Sequence, residues 1–269
     1  MAYPIVVDLA VFQDSSEAYF KKLKGYGVKS AIIKLTEGTS YTSAKAAAQI
    51  SNAYKVFGSV AAYHYYLGNP LAEAKYFLSK VKAYGLDKST WLAIDVEDPS
   101  LPKHNTAGIN IFLRYLKAAG YTNLLCYASG SWFTSGRIDK NALVSGTKLW
   151  VAAYGVSQPG VNDTAIWQYT NAFKGLSQDA SYDFKNLIAG NTRNTEKPSY
   201  YAAKGLYEVI TPTIHAYNKL PLRDKRYVRF SKGSRFYAVP VKNGSIYSLK
   251  TAKGYVTANA KYVKLIKKL

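Results

Sequence analysis

Eight short apolar runs, four amphipathic patterns between the early ones and a change of texture near residue 190 predict an α/β chain. The expected architecture is a closed barrel of the (β/α) type with an irregular second half, followed by a small all-β domain. The runs are Ile5–Asp8, Ala31–Leu35, Ser59–Tyr66, Trp91–Glu97, Leu124–Ala128, Leu149–Ala153, Ala165–Tyr169 and a weaker Ser181–Phe184. They are continuously apolar rather than alternating, as in a parallel sheet covered on both faces. Helical periodicity marks Ser16–Tyr26, Ser43–Phe57, Leu71–Tyr84 and Thr106–Ala119, the last stopping at Gly120. After Cys126 the strands crowd together and the helical patterns shorten. A flat doubly wound sheet is the structural alternative, but no glycine fingerprint of a dinucleotide or P-loop site follows the first strand.

Residues 191–200 contain no large apolar side chain before Tyr200 and read as a linker between a domain at 1–190 and one at 201–269. The second domain shows short β-prone runs: Tyr207–Ile210, Thr213–Tyr217, Arg226–Phe230, Arg235–Val239, Ser245–Leu249 and Tyr255–Thr257. Turn signals such as Lys232-Gly233 and Asn243-Gly244 separate them. This is the texture of a small all-β barrel.

Composition narrows the function classes. The formal net charge is +20. Residues 1–196 carry 20 Lys and Arg against 14 Asp and Glu, whereas 197–269 carry 16 against 2. The second domain therefore holds most of the excess, which points to a polyanionic partner. Nucleic acid and anionic bacterial wall polymers both fit the charge, but no recognised nucleic-acid fold accompanies it. The three histidines, His64, His104 and His215, are scattered, so no metal or other cofactor is expected. His64 reads as structural, because no second ligand or nucleophile accompanies it. Cys126 lies in an apolar run and reads as a buried core residue. No segment reaches 18 apolar residues, so no membrane insertion is expected, and the start of the chain does not read as a signal peptide.

The most informative stretch is Asp95-Val96-Glu97-Asp98, which closes the run Trp91-Leu92-Ala93-Ile94. A strand sets residues i and i+2 on one face, so Asp95 and Glu97 point the same way. Two close carboxyls do not both ionise cheaply, and one pKa should rise. Cleavage of a glycosidic bond needs such a protonated acid near neutral pH. Strand-end acids also serve as loop residues and caps, so this pair alone leaves catalysis open. In a barrel of this type, functional residues gather at the C-terminal ends of strands. Asp8, Asp95, Glu97 and Asp183 are the acids expected there, with Lys34, Glu37, Tyr63, Tyr127, Tyr154 and Gln168 as candidate substrate contacts. For the tyrosines, plain wall packing is an equal alternative, and Lys34 with Glu37 reads equally as an internal ion pair.

Seven segments in order carry a family resemblance. They are Val7-Asp8-Leu9 with Phe12-Gln13; Ala31-Ile32-Ile33-Lys34-Leu35-Thr36-Glu37-Gly38; Ala62-Tyr63-His64-Tyr65; Leu92-Ala93-Ile94-Asp95-Val96-Glu97; Leu149-Trp150-Val151-Ala152-Ala153-Tyr154; Ile166-Trp167-Gln168-Tyr169; and Tyr182-Asp183. The chain resembles the family 25 glycoside hydrolases, the Chalaropsis-type lysozymes, over most of residues 1–188. Phe12 stands where the family usually has Trp, and Leu35 where it usually has Ala. The resemblance implies a TIM-like (β/α)5β3 barrel and a retaining N-acetylmuramidase acting on peptidoglycan. It implies Glu97 as general acid, Asp95 as its tuner and a director of the substrate acetamide, and Asp8 and Asp183 lining the same pocket. The C-terminal part is similar, less specifically, to SH3-like wall-binding modules of lytic enzymes. The functional expectation is a phage or prophage endolysin, held in the cytoplasm until release through a separate pore. A secreted autolysin and a non-catalytic wall-binding protein are the alternatives.

Overall fold

The computed structural model describes residues 3–190, 200–220, 222, 226–243 and 246–269. The chain divides into two compact units, Met1–Arg193 and Asn194–Leu269. Of the expected linker, residues 191–199 lie outside the described residues, and Tyr200 pairs with Asn259 inside the second unit.

The first unit opens with β1 (Ile5–Leu9), α1 (Glu17–Gly25), β2 (Val28–Glu37) and a two-residue β3 (Tyr41–Thr42). There follow α2 (Ala46–Phe57), β4 (Ala61–Tyr65), α3 (Pro70–Ala83), β5 (Leu92–Asp95) and α4 (Thr106–Ala118). The unit closes with β6 (Leu124–Ser129), the short α5 (Gly130–Thr134), β7 (Lys148–Ala152), β8 (Thr164–Thr170) and β9 (Asp179–Asp183). Local chemistry sets the helix ends. The Ser16 side chain accepts the Tyr19 N–H ahead of α1, whose first turn carries Glu17 and whose last turn carries Lys22 and Lys24. At the end of α2, Gly58 adopts φ +81°, a left-handed cap that a side chain would strain.

Eight strands close on themselves in the order β1-β2-β4-β5-β6-β7-β8-β9, with β9 returning to β1. The barrel is mixed. The neighbours from β1 to β8 run parallel, whereas β9 is antiparallel to both β8 and β1. Successive side chains alternate between two cores. Val7, Leu9, Ala31, Ile33, Leu35, Ile94, Val96 and Cys126 face out and pack under the helices. Val6, Ile32, Ala61, Tyr63, Ala93, Leu125, Tyr127 and Trp150 face into the barrel. Trp150 fills the centre: its ring lies 4.5 Å from that of Tyr127 and 6.3 Å from that of Tyr63, and its Nε1 donates to Ser181 Oγ at 3.1 Å. This buried aromatic layer is a floor for whatever stands at the C-terminal ends of the strands.

The second unit is a curled antiparallel sheet of seven strands. They are β10 (Gly205–Val209), β11 (Thr213–Tyr217), β12 (Arg226–Ser231), β13 (Arg235–Asn243), β14 (Ile246–Thr251), β15 (Gly254–Thr257) and β16 (Val263–Lys268). Their order is β12-β11-β15-β14-β13-β10-β16, around a core that includes Tyr207, Ile214, Phe236, Leu249, Val256 and Val263. The sequence reading has six of these strands and misses β16, whose lysines at 264, 267 and 268 hide a run anchored by buried Val263. Gly254 is required where β14 turns into β15, since a Cβ there would stand 2.6 Å from the Tyr217 carbonyl.

Candidate active site

Asp8, Ala10, Phe12, Gln13, Lys34, Tyr63, Tyr65, Asp95, Glu97 and Asp179 line a cavity of about 270 Å³ at the C-terminal mouth of the barrel. Larger hollows of 460 and 660 Å³ lie among other residues and contain none of these carboxyls.

Each acid arrives by strand geometry. Asp95 is the last residue of β5, and Glu97 follows two residues on, on the same side. Asp95 is buried, while Glu97 is open to solvent as a residue although its carboxyl sits against the mouth wall. Burial pushes the Asp95 carboxyl well above its usual range, and the neighbouring Glu97 adds to that; Lys34 opposes. The Glu97 carboxyl is also raised, first by desolvation in the mouth, with Asp179 and Asp98 adding while the nearby Tyr127 hydroxyl and the charge of Lys34 oppose. Asp95 Oδ1 is buried without a hydrogen-bond partner. Asp98, next along, turns away: it accepts the Ser100 N–H at 2.9 Å and the Tyr65 hydroxyl at 3.2 Å.

Asp8 comes from β1 and faces Asp179 of β9 directly across the antiparallel pair. Burial, followed by the Asp179 charge, raises Asp8 well above its usual range, and a hydrogen bond from the Gln168 amide opposes. Burial also raises Asp179. The loop after β1 that presents Phe12 is pinned by Gln13, whose Oε1 accepts the Ala10 N–H at 2.9 Å and whose Nε2 donates to the Ser177 carbonyl at 3.2 Å. Phe12 itself is 87% exposed, an aromatic face standing at the mouth.

Asp183, expected at this mouth, is at the other end of the barrel. Because β9 is antiparallel, its first residue, Asp179, lies level with Asp8, and its last residue lies below Ile5, where the Asp183 N–H donates to the Pro4 carbonyl at 2.9 Å. The Asp183 carboxylate accepts the N–H groups of Leu187, Ile188 and Ala189 at 2.9, 2.8 and 3.2 Å, holding the turn that plugs the barrel floor with Ile188. Asp179 is the acid that the sequence reading missed.

The other expected contacts divide in two. Lys34 and Tyr63 line the cavity. Lys34 Nζ pairs with Glu37 Oε2 at 2.7 Å and lies 4.5 Å from the Tyr65 ring centre, so Glu37 serves to hold Lys34 rather than to line the cavity. Gln168, Tyr127 and Tyr154 form a network behind it. His64 points outward under α3 and α4, as the structural reading expects. Thr36 Oγ1 is 2.8 Å from its Nδ1 and Glu73 Oε2 is 2.6 Å from its Nε2, and the ring stacks on Phe112. Burial holds its pKa down.

A comparison with known proteins extends this geometry. The sequence profile of glycosyl hydrolases family 25 matches residues 7–176, most of the barrel. The chain belongs to glycosyl hydrolases family 25. Among similar proteins is Lysozyme M1 of Streptomyces globisporus, 29% identical over 197 residues that cover 64% of each chain. Another is a lysozyme of Lactococcus phage mv1, 31% identical over 55% of this chain and 77% of that one. The chain thus spans less than two thirds of the Streptomyces relative's length. The crystal structure of the bacterial lysozyme from Streptomyces coelicolor matches with a TM-score of 0.61 and 27% identity, over 72% of this chain and 99% of that one. For a family 25 barrel, Asp8, Asp95, Glu97 and Asp179 make a mouth with four carboxyls, all pushed upward, above an aromatic floor.

Proposed function

We propose that the chain is a peptidoglycan hydrolase: a lysozyme, or 1,4-β-N-acetylmuramidase. It would cleave the β-1,4 bond between N-acetylmuramic acid and N-acetylglucosamine in bacterial cell walls. The observation that carries this reading is the four-carboxyl mouth of a family 25 barrel, with one acid, Glu97, open to substrate.

Glu97 is the general acid. It gives its proton to the glycosidic oxygen as that bond breaks, and water supplies hydroxide to the anomeric carbon while returning a proton to Glu97. In the free protein the more deeply buried Asp95 competes for the proton of the pair. Substrate resolves the competition. An acetamide N–H donated to the mouth-facing side of the Asp95 carboxyl favours ionised Asp95, and its charge then raises Glu97 just as the sugar chain displaces water from it. Asp8 and Asp179 stand on the β1–β9 side and oppose the positive charge of an oxocarbenium-like transition state. Phe12 offers a ring face to a sugar, with Lys34 and Tyr63 as further contacts.

The first unit reads as a TIM-like (β/α)5β3 barrel, supported by the five helices α1–α5 among its first strands and three closing strands, β7–β9. The second unit reads as an SH3-like module that attaches the enzyme to anionic wall polymers through its basic surface. An endolysin acting at the wall is the setting, supported by the phage lysozyme among the relatives. The test is Glu97→Gln, which preserves shape and removes the acid. It is expected to abolish clearing of Gram-positive wall suspensions with the melting temperature unchanged; retained clearing would remove Glu97 as the proton donor.

A further inference from the structure

Gln168 points inward from β8, is 2% exposed and joins both halves of the polar network. Its Oε1 accepts the hydroxyls of Tyr127, at 2.8 Å, and Tyr154. Its Nε2 lies 3.0 Å from each oxygen of Asp8. Equal distance to both oxygens is the geometry of one N–H shared between the two, with the nitrogen as donor. An amide oxygen in that place would meet one carboxyl lone pair unfavourably whichever oxygen carried the proton. The two tyrosines keep their protons, since burial raises both. The amide therefore has one favourable orientation.

A carboxyl that accepts an N–H across its two oxygens is favoured in its ionised form. Asp8 also stands directly opposite the half-buried Asp179, and two neighbouring carboxyls that raise each other hold one proton between them. Burial alone would leave that proton on the deeper Asp8. We propose that Gln168 is a positioning residue, not a substrate contact, that shifts the shared proton from Asp8 toward Asp179, with Tyr127 and Tyr154 locking its amide in place. Asp8 then ionises more readily than its burial alone would allow as positive charge develops on the sugar ring, a role that rests on the lysozyme reading above. The other groups around Asp8 are Asp95 and Glu97 from the β5 end, Lys34 from β2, Tyr63 from β4, Tyr127 from β6, Tyr154 after β7 and Asp179 from β9. A change at Gln168 removes the acceptor of the Tyr127 and Tyr154 hydroxyls and leaves the residues of the others in place.

The test is a 13C-carboxyl NMR titration of the full chain, with the Asp8 resonance assigned through Asp8→Asn. In Gln168→Leu the Asp8 midpoint is expected to rise by about one pH unit or more. Tyr154→Phe removes one of the two locking hydroxyls from a ring that is 46% exposed, so it tests the same point if Gln168→Leu fails to fold. A smaller rise is expected there. Gln168→Glu can donate to Asp8 only while protonated, so its wall clearing should be confined to lower pH than the wild type. An Asp8 midpoint unmoved in both Gln168→Leu and Tyr154→Phe would overturn the proposal. So would a raised KM with an unchanged pH profile of kcat in Gln168→Leu, the signature of a lost substrate contact. The titration reads Asp8 whether or not walls are cleaved, which separates failure of this proposal from failure of the lysozyme reading.

Discussion

Glu97 and Asp95 differ in depth, and depth governs where their shared proton resides. Asp95 is enclosed above the aromatic floor, whereas Glu97 reaches solvent. Acid catalysis needs Glu97 protonated, so activity falls as pH rises through its pKa. That pKa lies above the ordinary glutamate value, which puts the basic limb of the profile above the range of a free carboxyl. Once substrate ionises Asp95, that charge holds Glu97 up further. Asp95→Asn removes the charge while keeping a side-chain oxygen. Its expected effect is a basic limb of kcat moved to lower pH, by about one unit, read from the pH dependence of turnover on soluble glycan chains. An unmoved limb would separate Asp95 from the tuning of Glu97. This pair was legible in the sequence because alternation puts Asp95 and Glu97 on one side and sends Asp98 away. The proton competition was not legible, since it depends on burial by Tyr63, Tyr127 and Trp150 from three other strands.

At the scale of elements, strand direction moved one acid out of the site and brought another in. The strands β1, β2 and β4–β8 and the helices α1–α4 were legible, because apolar runs and 3.6-residue periodicity are local, whereas the two-residue β3 and the five-residue α5 are too short to show a period and β9 starts two residues before the expected run. The direction of β9 is set by its connection. Eight residues separate β8 from β9, short of the dozen or so that a parallel crossover takes, and the chain turns back as a hairpin. That spacing was the available signal for Asp179 over Asp183. The two acids now carry opposite expectations. Asp183→Ala strips the acceptor from three backbone N–H groups and should lower unfolding free energy by about 3 kcal/mol, measured by urea unfolding. Asp179→Asn should cost wall clearing with little loss of stability, because its contacts face the open mouth. Reversed phenotypes would contradict the placement of β9.

At the scale of the molecule, charge is distributed unevenly: residues 197–269 hold 16 Lys and Arg against 2 Asp and Glu. On the β13–β10–β16 part of the second unit, Tyr237 is 64% exposed, with exposed Arg235, Lys264 and Lys267 on the same strands. A surface of this kind holds a polyanion mainly through screened Coulomb attraction. Retention of the full chain on Gram-positive walls is therefore expected to weaken as salt rises from 50 to about 500 mM, where the screening length falls to a few ångströms. Salt-independent retention would point to uncharged recognition instead. The charge asymmetry was plain in the sequence, but the face that bears it depends on the register of β10 with β13 and β16. Above all else, the assignment depends on which bond the mouth cuts. Walls digested with the full chain, reduced with borohydride and resolved by mass spectrometry are predicted to yield new reducing ends on N-acetylmuramic acid, absent with Glu97→Gln. Reducing ends on N-acetylglucosamine, or freed peptides with intact glycan chains, would contradict it.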